Sequence, residues 1–305
     1  MNITPYLKND PVIRSYQAYL KLERSFSGNT VEAYLEDLSK LLDYFGERGI
    51  NYPNASLEQL QDFLIELCEL GIGNRSQARI ISGIKSFYRF LLLEEILKED
   101  PTELLESPKI GQKLPEVLSL DEINAILSSI DLSTPQGHRN KAMLEVLYSC
   151  GLRVSELTNL LISNIYLKDE YLSVTGKGNK QRLVPISPAA IREIHFWMQD
   201  RNGMVIKKGN EDFLFLNRRG TKLSRIMVFN IIKEQAEIAG IEKNISPHTF
   251  RHSFATHLLE GGANLRAIQE MLGHESILTT EIYTHMDMNL LRSEIIRFHP
   301  RNQRR

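Results

Sequence analysis

The amino-acid sequence predicts a mainly α-helical fold with one small antiparallel β-sheet, divided into two domains. Apolar residues recur at steps of three and four along most of the 305 residues, which is the period of an amphipathic helix. One strand–turn–strand pattern interrupts them. A segment with three prolines and a glycine separates two helical regions. We therefore expect a helical domain over residues 1–107, a linker over 108–118 and a second domain over 119–305.

The first domain is predicted to consist of three or four helices. Its clearest apolar stripe runs through residues 31–45, follows the N-cap type Ser27, and is expected to end at Gly46 and Gly49. Two further stripes of the same period follow it, and no strand pattern lies between them. Amphipathic helices of this number and spacing indicate a small helical bundle.

The second domain begins with a predicted capping box, because Glu122 follows Ser119 at the required spacing of three. Residues 171–175 and 181–186 read as strands on either side of a turn rich in glycine and lysine, and residues 213–216 as a possible third strand. Three short helices are expected from residue 246 onward.

The composition excludes several classes of protein. The chain is 42% hydrophobic, with no apolar run near the roughly 20 residues of a membrane helix, and its start lacks the pattern of a signal peptide. Cys68 and Cys150 are too few for a disulfide or zinc framework. A reducing cytoplasm is therefore expected.

The net charge of −1 hides a difference between the two halves. Residues 1–107 hold 11 basic and 17 acidic side chains, whereas residues 108–305 hold 26 basic and 21 acidic ones. This asymmetry permits a polyanionic partner and is equally consistent with two unlike solvated surfaces.

The most informative motif begins at Ser246, an N-cap type followed by Pro247 at the favoured first helical position. His248 and Arg251 then lie three apart, on one face of the first turns. A helix start already favours anions, so the motif indicates a phosphate or carboxylate site; alternatively, it is a solvated helix face.

Other cationic and nucleophilic residues follow turn-forming glycines. Arg153 comes after Gly151, Lys177 lies in the turn between the two strands, and His274 comes after Gly273. Tyr283 lies nine residues further on. The ordered set is Arg153, Lys177, His248, Arg251, His274 and Tyr283.

This ordered set resembles that of the tyrosine recombinase (integrase) family, and the surrounding sequence is most similar to the bacterial Xer branch. The matching segments are LYSCGLRVSEL, TGKGNKQRLVPIS, SPHTFRHSFATHLLEGGANLRAIQEMLGHESILTTEIYTH and the closing HPR. The resemblance implies a two-domain C-clamp, with a SAM-like core-binding domain and a catalytic domain that cuts and rejoins DNA.

The resemblance also implies a role for each residue of the set. Tyr283 is the expected nucleophile, which forms a 3′-phosphotyrosyl bond, and Arg153 and Arg251 are expected to grip the non-bridging phosphate oxygens. His248 is the expected acid–base group and Lys177 the proton donor to the leaving 5′ oxygen. His274 is expected to donate a further hydrogen bond, and no metal, ATP or other cofactor is implied.

The partners implied are a double-stranded recombination site and a homo- or hetero-tetramer on two duplexes. A second Xer-type recombinase and an FtsK-type DNA translocase are further implied candidates, and the C-terminal tail is expected to pack on a neighbouring protomer. The expected role is resolution of chromosome or plasmid dimers, which links the protein to chromosome partition, cell division and the cell cycle. A length of 305 residues leaves little room for an arm-binding domain, which favours this role over that of a mobile-element integrase.

Two basic clusters are the candidate DNA contacts outside the ordered set. The first lies on the predicted fourth helix and holds Arg75, Arg79, Lys85 and Arg89. The second holds Arg218, Arg219, Lys222 and Arg225. Contacts of this kind set affinity and salt dependence more than sequence choice. The alternative is an ordinary solvated basic surface.

Other functions are less well supported by the sequence. His248 and His252 have the spacing of zinc ligands, but Thr249 stands where a metalloprotease needs glutamate. We therefore expect no metal, and interpret His252, His257 and His285 as packing side chains. Neither nucleotide-binding glycine motif occurs. A DNA-binding architectural protein that never cleaves remains the alternative from another class.

Overall fold

The computed structural model describes residues 10–111, 116–176, 180–273 and 285–302. The chain divides into two compact units, Met1–Lys113 and Leu114–Arg305. Each unit has a hydrophobic core of its own. Over the described ranges, no helix is both long and apolar enough to cross a membrane.

The described residues of the first unit, 10–111, form four α-helices, as the apolar stripes predict. They are α1 (Pro11–Leu22), α2 (Gly28–Arg48), α3 (Leu57–Glu69) and α4 (Asn74–Leu93). The side chain of Ser27 caps α2, as predicted. The helix runs through Gly46 and ends at Gly49, whose φ of 67° only glycine adopts without strain. Only the second of the two predicted stop signals therefore ends the helix.

The core of the first unit is aromatic and aliphatic. Tyr16 of α1 packs edge-on against Phe87 of α4, with ring centroids 5.1 Å apart, and both are fully buried beside Leu41 and Ile84. A carboxylate lies among these side chains, since Asp37 of α2 is also fully buried. A buried carboxylate requires a partner, and Arg79 of α4 supplies it.

The second unit is also mainly helical. The described helices are α5 (Leu120–Ser128), α6 (Pro135–Cys150), α7 (Val154–Thr158), α8 (Pro188–Asn202), α9 (Arg225–Ile238), α10 (Pro247–Gly261), α11 (Leu265–Leu272) and α12 (His285–Phe298). The capping box at the start of α5 is confirmed, since Ser119 and Glu122 each accept a hydrogen bond from the other's backbone N–H. The three helices predicted after residue 246 are present as α10, α11 and α12.

Within the part of the chain that the structure describes, the sheet has three antiparallel strands in the order β1 (Ile165–Tyr166), β2 (Tyr171–Thr175) and β3 (Gln181–Pro185). In the β2–β3 pair, Leu172 lies opposite Val184, and both are fully buried. The predicted hairpin is confirmed over its described residues, and its tip, residues 177–179, lies outside them.

The possible third strand at residues 213–216 was predicted wrongly. This run makes only isolated bridges, from Phe213 to Leu161 and from Leu216 to Lys222. Leu214 is fully buried, and its carbonyl accepts a hydrogen bond from the indole of Trp197. The run is apolar because it fills the core as an irregular segment, and β1 takes the edge position in the sheet.

The last described helix packs within its own chain. Leu291 and Ile295 of α12 are buried in the core of the second unit, and the imidazole of His299 is fully buried after the helix ends. Arg301 donates to the buried carboxylate of Glu145 at 3.1 Å and to Asn124 at 2.7 Å. In the single chain, therefore, α12 covers its own unit, whereas the resemblance implied packing on a neighbour.

Candidate active site

The first predicted arginine is positioned by the turn that ends α6. Gly151 stops this helix with a φ of 57°, and Arg153 is the N-cap residue that precedes α7. Its Nη1 donates to Oε1 of Glu156 at 2.9 Å, and its Nη2 donates to the carbonyl oxygen of Gly273 at 3.1 Å. The side chain is half-buried, so its guanidinium is held from one side and reachable from the other.

Gly151 permits a close approach between α6 and α10. A Cβ atom built on Gly151 would lie 2.4 Å from Cδ1 of Phe254, a fully buried residue of α10. We therefore expect Gly151→Ala to destabilise the protein by about 1–3 kcal/mol more than Gly209→Ala, because overpacking adds to the cost of a positive φ. Gly209 has a φ of 83° with nothing within 4 Å of an added Cβ, so it isolates the conformational cost.

Chemical denaturation of both variants provides the measurement. In a thermal melt, each further kcal/mol lost from the free energy of unfolding should lower the Tm of a unit of this size by about 2–4 °C. Equal losses in the two variants would show that Phe254 moves aside without cost.

The second predicted arginine is buried in α10. Ser246 caps this helix and Pro247 occupies its first turn, as the sequence predicts. Arg251 is only 7% exposed; its Nη1 donates to the carbonyl oxygen of Gly151 at 2.7 Å, and its Nη2 to that of Leu272 at 2.5 Å. The fork geometry of the guanidinium thus joins the end of α6 to the end of α11.

Glu156 brings the two arginines together, and the sequence did not single it out. The residue is 5% exposed, and Nη1 of Arg251 lies 4.0 Å from its Oε2. A third guanidinium, that of Arg182, donates to both carboxylate oxygens at 2.8 and 2.9 Å. Although burial acts to raise it, the hydrogen bonds from Arg182 and Arg153 hold the pKa of Glu156 below its ordinary value.

Each of the two missed residues leaves a signal in the sequence. Glu156 follows Arg153 by three positions at a helix start, which is the spacing of a capping box. Arg182 shares a face of β3 with Val184, since residues two apart on a strand point to the same side. A charged residue on the buried face of a strand requires a buried partner.

The electrostatics of the cluster are strongly cationic. Burial and the neighbouring charge of Arg153 lower the pKa of Arg251 to about 10, so it stays protonated at neutral pH. His248 lies exposed one turn before it on α10. Partial burial, His252 and the two arginines all lower the pKa of His248 below the ordinary imidazole value. A neutral imidazole therefore stands beside two fixed positive charges, an arrangement suited to an anion that must also lose or gain a proton.

Three of the six predicted active-site residues are described, and they lie in one cluster: Arg153, His248 and Arg251. The other three, Lys177, His274 and Tyr283, fall outside the described residues. The described backbone beside two of them is close to the cluster, since a Cβ built on Gly176 would lie 3.5 Å from Nη1 of Arg182, and Gly273 accepts from Arg153.

The remaining histidines are not alike. Nδ1 of His257 shares a hydrogen bond of 2.9 Å with the hydroxyl of Tyr148, as expected for a packing residue. His252 is exposed, so its interpretation as a packing side chain was wrong. The side chain of His285 lies outside the described residues. Among the described side chains, no group of three or more His, Cys, Asp or Glu residues could hold a metal ion.

The basic cluster on α4 is divided by the structure. Arg75 and Arg89 are exposed and Lys85 is half-buried. Arg79 is exposed on one side, but its Nη1 lies 2.5 Å from the buried carboxylate of Asp37. The sequence suggested a helix with cations alone, and the acid that partners Arg79 comes from α2.

The second basic cluster surrounds the start of α9. Arg218, Arg219 and Arg225 are exposed, and the first two line an open cleft of about 770 Å³ together with the buried Arg139. Lys222 is held in place, because its Nζ donates to Asn159 at 2.8 Å and lies over the ring of Phe213. The surface is therefore basic, with one of its four cations already engaged.

Comparisons with known proteins identify the class of protein to which this fold and these two arginines belong. Residues 116–289 match the model of the phage integrase family, and residues 13–95 match that of the phage integrase N-terminal SAM-like domain. The chain therefore belongs to the phage integrase family and is a tyrosine site-specific recombinase.

Its relatives lie in the Xer branch, which confirms the resemblance drawn from the sequence. It is 45% identical over 292 residues to tyrosine recombinase XerD of Chlorobaculum tepidum, covering 95% of this chain and 96% of the relative. It is 43% identical over 293 residues to XerD of Staphylococcus aureus, covering 96% and 99%.

Solved structures agree with the fold. XerH site-specific recombinase bound to a palindromic difH substrate, a post-cleavage complex, is 25% identical with a TM-score of 0.69, over 87% of this chain and 79% of that one. The integrase of transposon Tn1549, in complex with circular intermediate DNA, shares the fold at 19% identity and a TM-score of 0.68, over 93% and 98%.

Proposed function

We propose that this recombinase resolves chromosome or plasmid dimers by cutting and rejoining DNA through a 3′-phosphotyrosyl intermediate. The observation that carries the proposal is the cluster of Arg153, Arg251 and Glu156, in which one buried carboxylate holds the half-buried guanidinium of Arg153 and the buried guanidinium of Arg251 close together. The identity of 43–45% with XerD recombinases over almost the whole chain supports dimer resolution over mobile-element integration.

Each predicted residue has a role in the proposed step. The phenol oxygen of Tyr283 attacks the scissile phosphorus, the bond to the 5′ oxygen breaks, and Lys177 donates the proton that this oxygen takes up. Arg153, Arg251 and His274 donate to the non-bridging oxygens, on which charge accumulates. One diester replaces another, so rejoining requires attack by a 5′-hydroxyl and no ATP.

The nucleophile needs help to lose its proton. A phenol with a pKa of about 10 is ionised in roughly one molecule in a thousand at pH 7. We assign the acceptor role to His248, whose lowered pKa keeps it neutral and able to take a proton. Because two guanidiniums already offset the phosphate charge, the proposed step uses no metal ion.

This assignment predicts how cleavage depends on pH. Below the pKa of His248, which lies under the ordinary 6.5, its imidazole is protonated and cannot accept the phenol proton. We expect the single-turnover rate of adduct formation to be level above about pH 6.5 and to fall up to about tenfold per pH unit below the pKa of His248. In His248→Gln the phenol proton must leave to hydroxide, so the slower rate should lose its level region and rise about tenfold per pH unit throughout the range. A level region with a break at the same pH in His248→Gln would assign the base to another group.

The proposed substrate is a double-stranded recombination site bound by several protomers. The XerH relative was solved with its DNA substrate, which supports this expectation. We propose a tetramer on two duplexes, with α12 exchanged between protomers in the assembly. A second Xer-type recombinase, activation by an FtsK-type translocase and a cytoplasmic location belong to the same proposal.

The exposed arginines extend the proposed interface. We assign phosphate contacts to Arg75, Lys85 and Arg89 on α4, and to Arg218, Arg219 and Arg225 near α9. Arg79 and Lys222 remain proposed contacts. Within the chain, Arg79 already pairs with Asp37, and Lys222 already donates to Asn159. Loss of one phosphate contact should lower the slope of log affinity against log salt by about one.

Covalent trapping tests the proposed function. Wild-type protein is incubated with a panel of nicked resolution-site duplexes, with and without EDTA and with and without a partner recombinase. A nicked site loses the short released fragment, so the phosphotyrosyl adduct accumulates and survives SDS. The proposal requires an EDTA-resistant adduct on at least one site. Tight binding to a site with no adduct under any condition would instead favour a non-cleaving DNA-binding protein.

A further inference from the structure

Arg182 is a buried charged residue to which the proposed mechanism assigns no role. We propose that Arg182 is a positioning residue for strand cleavage: it neutralises Glu156, so that the guanidiniums of Arg153 and Arg251 stay available to the scissile phosphate. The inference rests on the proposed function, and the experiment below separates the failure of one from the failure of the other.

The contacts of Arg182 are made by all three of its guanidinium nitrogens. Nη1 donates to Oε1 of Glu156 at 2.8 Å, Nη2 to Oε2 of Glu156 at 2.9 Å, and Nε to the carbonyl oxygen of Met271 at 2.8 Å. The residue is 6% exposed. A bidentate pair of this geometry is directional as well as strong, so it fixes the orientation of the carboxylate.

The ion pair of Arg182 and Glu156 determines the net charge beside the two other arginines. One carboxylate, that of Glu156, lies among the guanidiniums of Arg182, Arg153 and Arg251. Arg182 is the one of the three that pairs with both carboxylate oxygens at hydrogen-bonding distance through its side chain. Without it, Glu156 would keep a full negative charge close to the position of the phosphate. That charge would attract Arg153 and Arg251 inward and repel the substrate.

Arg182 also fills the space between two segments that carry predicted active-site residues. A Cβ built on Gly273, at the end of α11, would lie 3.1 Å from Cδ of Arg182. One built on Gly176, at the end of β2, would lie 3.5 Å from Nη1. Gly176 precedes Lys177 and Gly273 precedes His274. One side chain therefore supports the backbone on the described side of both positions.

A purely structural role makes a different prediction from a neutralising one. If Arg182 only fills space and satisfies hydrogen bonds, removing the charge of Glu156 as well should leave the protein no more active. If Arg182 neutralises Glu156, removing both charges should restore the field of Arg153 and Arg251. The double variant thus distinguishes the two roles.

The experiment measures the rate of covalent adduct formation on a nicked site that wild-type protein cleaves, at a temperature where each variant is folded. We expect Arg182→Met to slow the reaction about a hundredfold with DNA affinity within about threefold, and Arg182→Met/Glu156→Gln to recover at least about tenfold of that loss. Arg201→Met is the matched control. Arg201 is 4% exposed and donates to the carbonyl oxygens of Glu211 and Phe213, outside the cluster.

Two outcomes would overturn the inference: an Arg182→Met rate within threefold of wild type, or a double variant no faster than Arg182→Met. If Arg182→Met does not fold, Arg182→Lys and Arg182→Lys/Glu156→Gln provide the same comparison, because lysine pairs with one oxygen rather than two. A wild-type protein that forms no adduct on any site counts against the proposed function itself.

Discussion

We expect Tyr283→Phe to form no covalent adduct with a nicked recombination site, while it binds that site within about threefold of the wild-type affinity. The substitution removes the oxygen that the proposal places in the new phosphotyrosyl bond and leaves the aromatic ring. No other group can replace that oxygen without being held in line with the scissile bond, where positioning contributes a large part of the rate. The loss should therefore be complete rather than partial.

Tyr166→Phe is the control for this prediction. Tyr166 lies in β1, is 39% exposed, and stacks on Tyr171 with ring centroids 4.5 Å apart. The Tyr166→Phe variant loses a hydroxyl from a tyrosine of the same unit and leaves the cluster of arginines unchanged. Its adduct yield should equal that of wild type. Mass spectrometry of the trapped peptide identifies the modified residue. An adduct that persists in Tyr283→Phe would assign the nucleophile to another side chain.

The helices were predictable because their signals are local. Ser27, Ser119 and Ser246 cap helices in the structure as in the prediction, and the apolar stripes match the buried faces. Local signals fail where a segment's secondary structure depends on which other segment packs beside it. Residues 213–216 have the composition of a strand, but the core around Leu214 leaves them no neighbouring strand to pair with.

The candidate site was predictable in part for the same reason. Arg153 follows the helix-ending Gly151, His248 and Arg251 belong to a recognisable helix start, and the structure brings the three together. The groups that hold them were not predictable, because the carbonyl oxygens of Gly151 and Leu272 that anchor Arg251 are backbone atoms found in every residue. Only the folded arrangement shows which carbonyls remain free at a helix end.

Charge counts along one helix also have a limit. The cluster on α4 contains no acid in the sequence, which suggested four cations free for DNA. Asp37 lies 42 positions before Arg79, on α2, and its burial next to Gly83 is evident only when the helices pack. The partner of a surface cation is a tertiary property, so the sequence overestimates the charge available for binding.

We expect Arg251→Lys to slow adduct formation by about 10²–10³-fold, although it keeps the positive charge. Arg251 already directs one nitrogen to the carbonyl of Gly151 and another to that of Leu272, and the planar fork leaves further N–H donors for the phosphate. A lysine has one nitrogen and cannot satisfy two carbonyls and a phosphate oxygen in these directions. At least one buried carbonyl would lose its partner, or the phosphate would lose its donor.

Arg266→Lys is the matched control, since the side chain of Arg266 is 87% exposed and pairs with Glu270 on the surface of α11. It should keep the wild-type rate, because an exposed pair of this kind contributes little. Both variants are compared in single-turnover adduct formation, with DNA affinity measured separately. If Arg251→Lys kept the wild-type rate, charge alone would suffice at this position. The hydrogen-bonding geometry around Gly151 and Leu272 would then serve stability rather than cleavage.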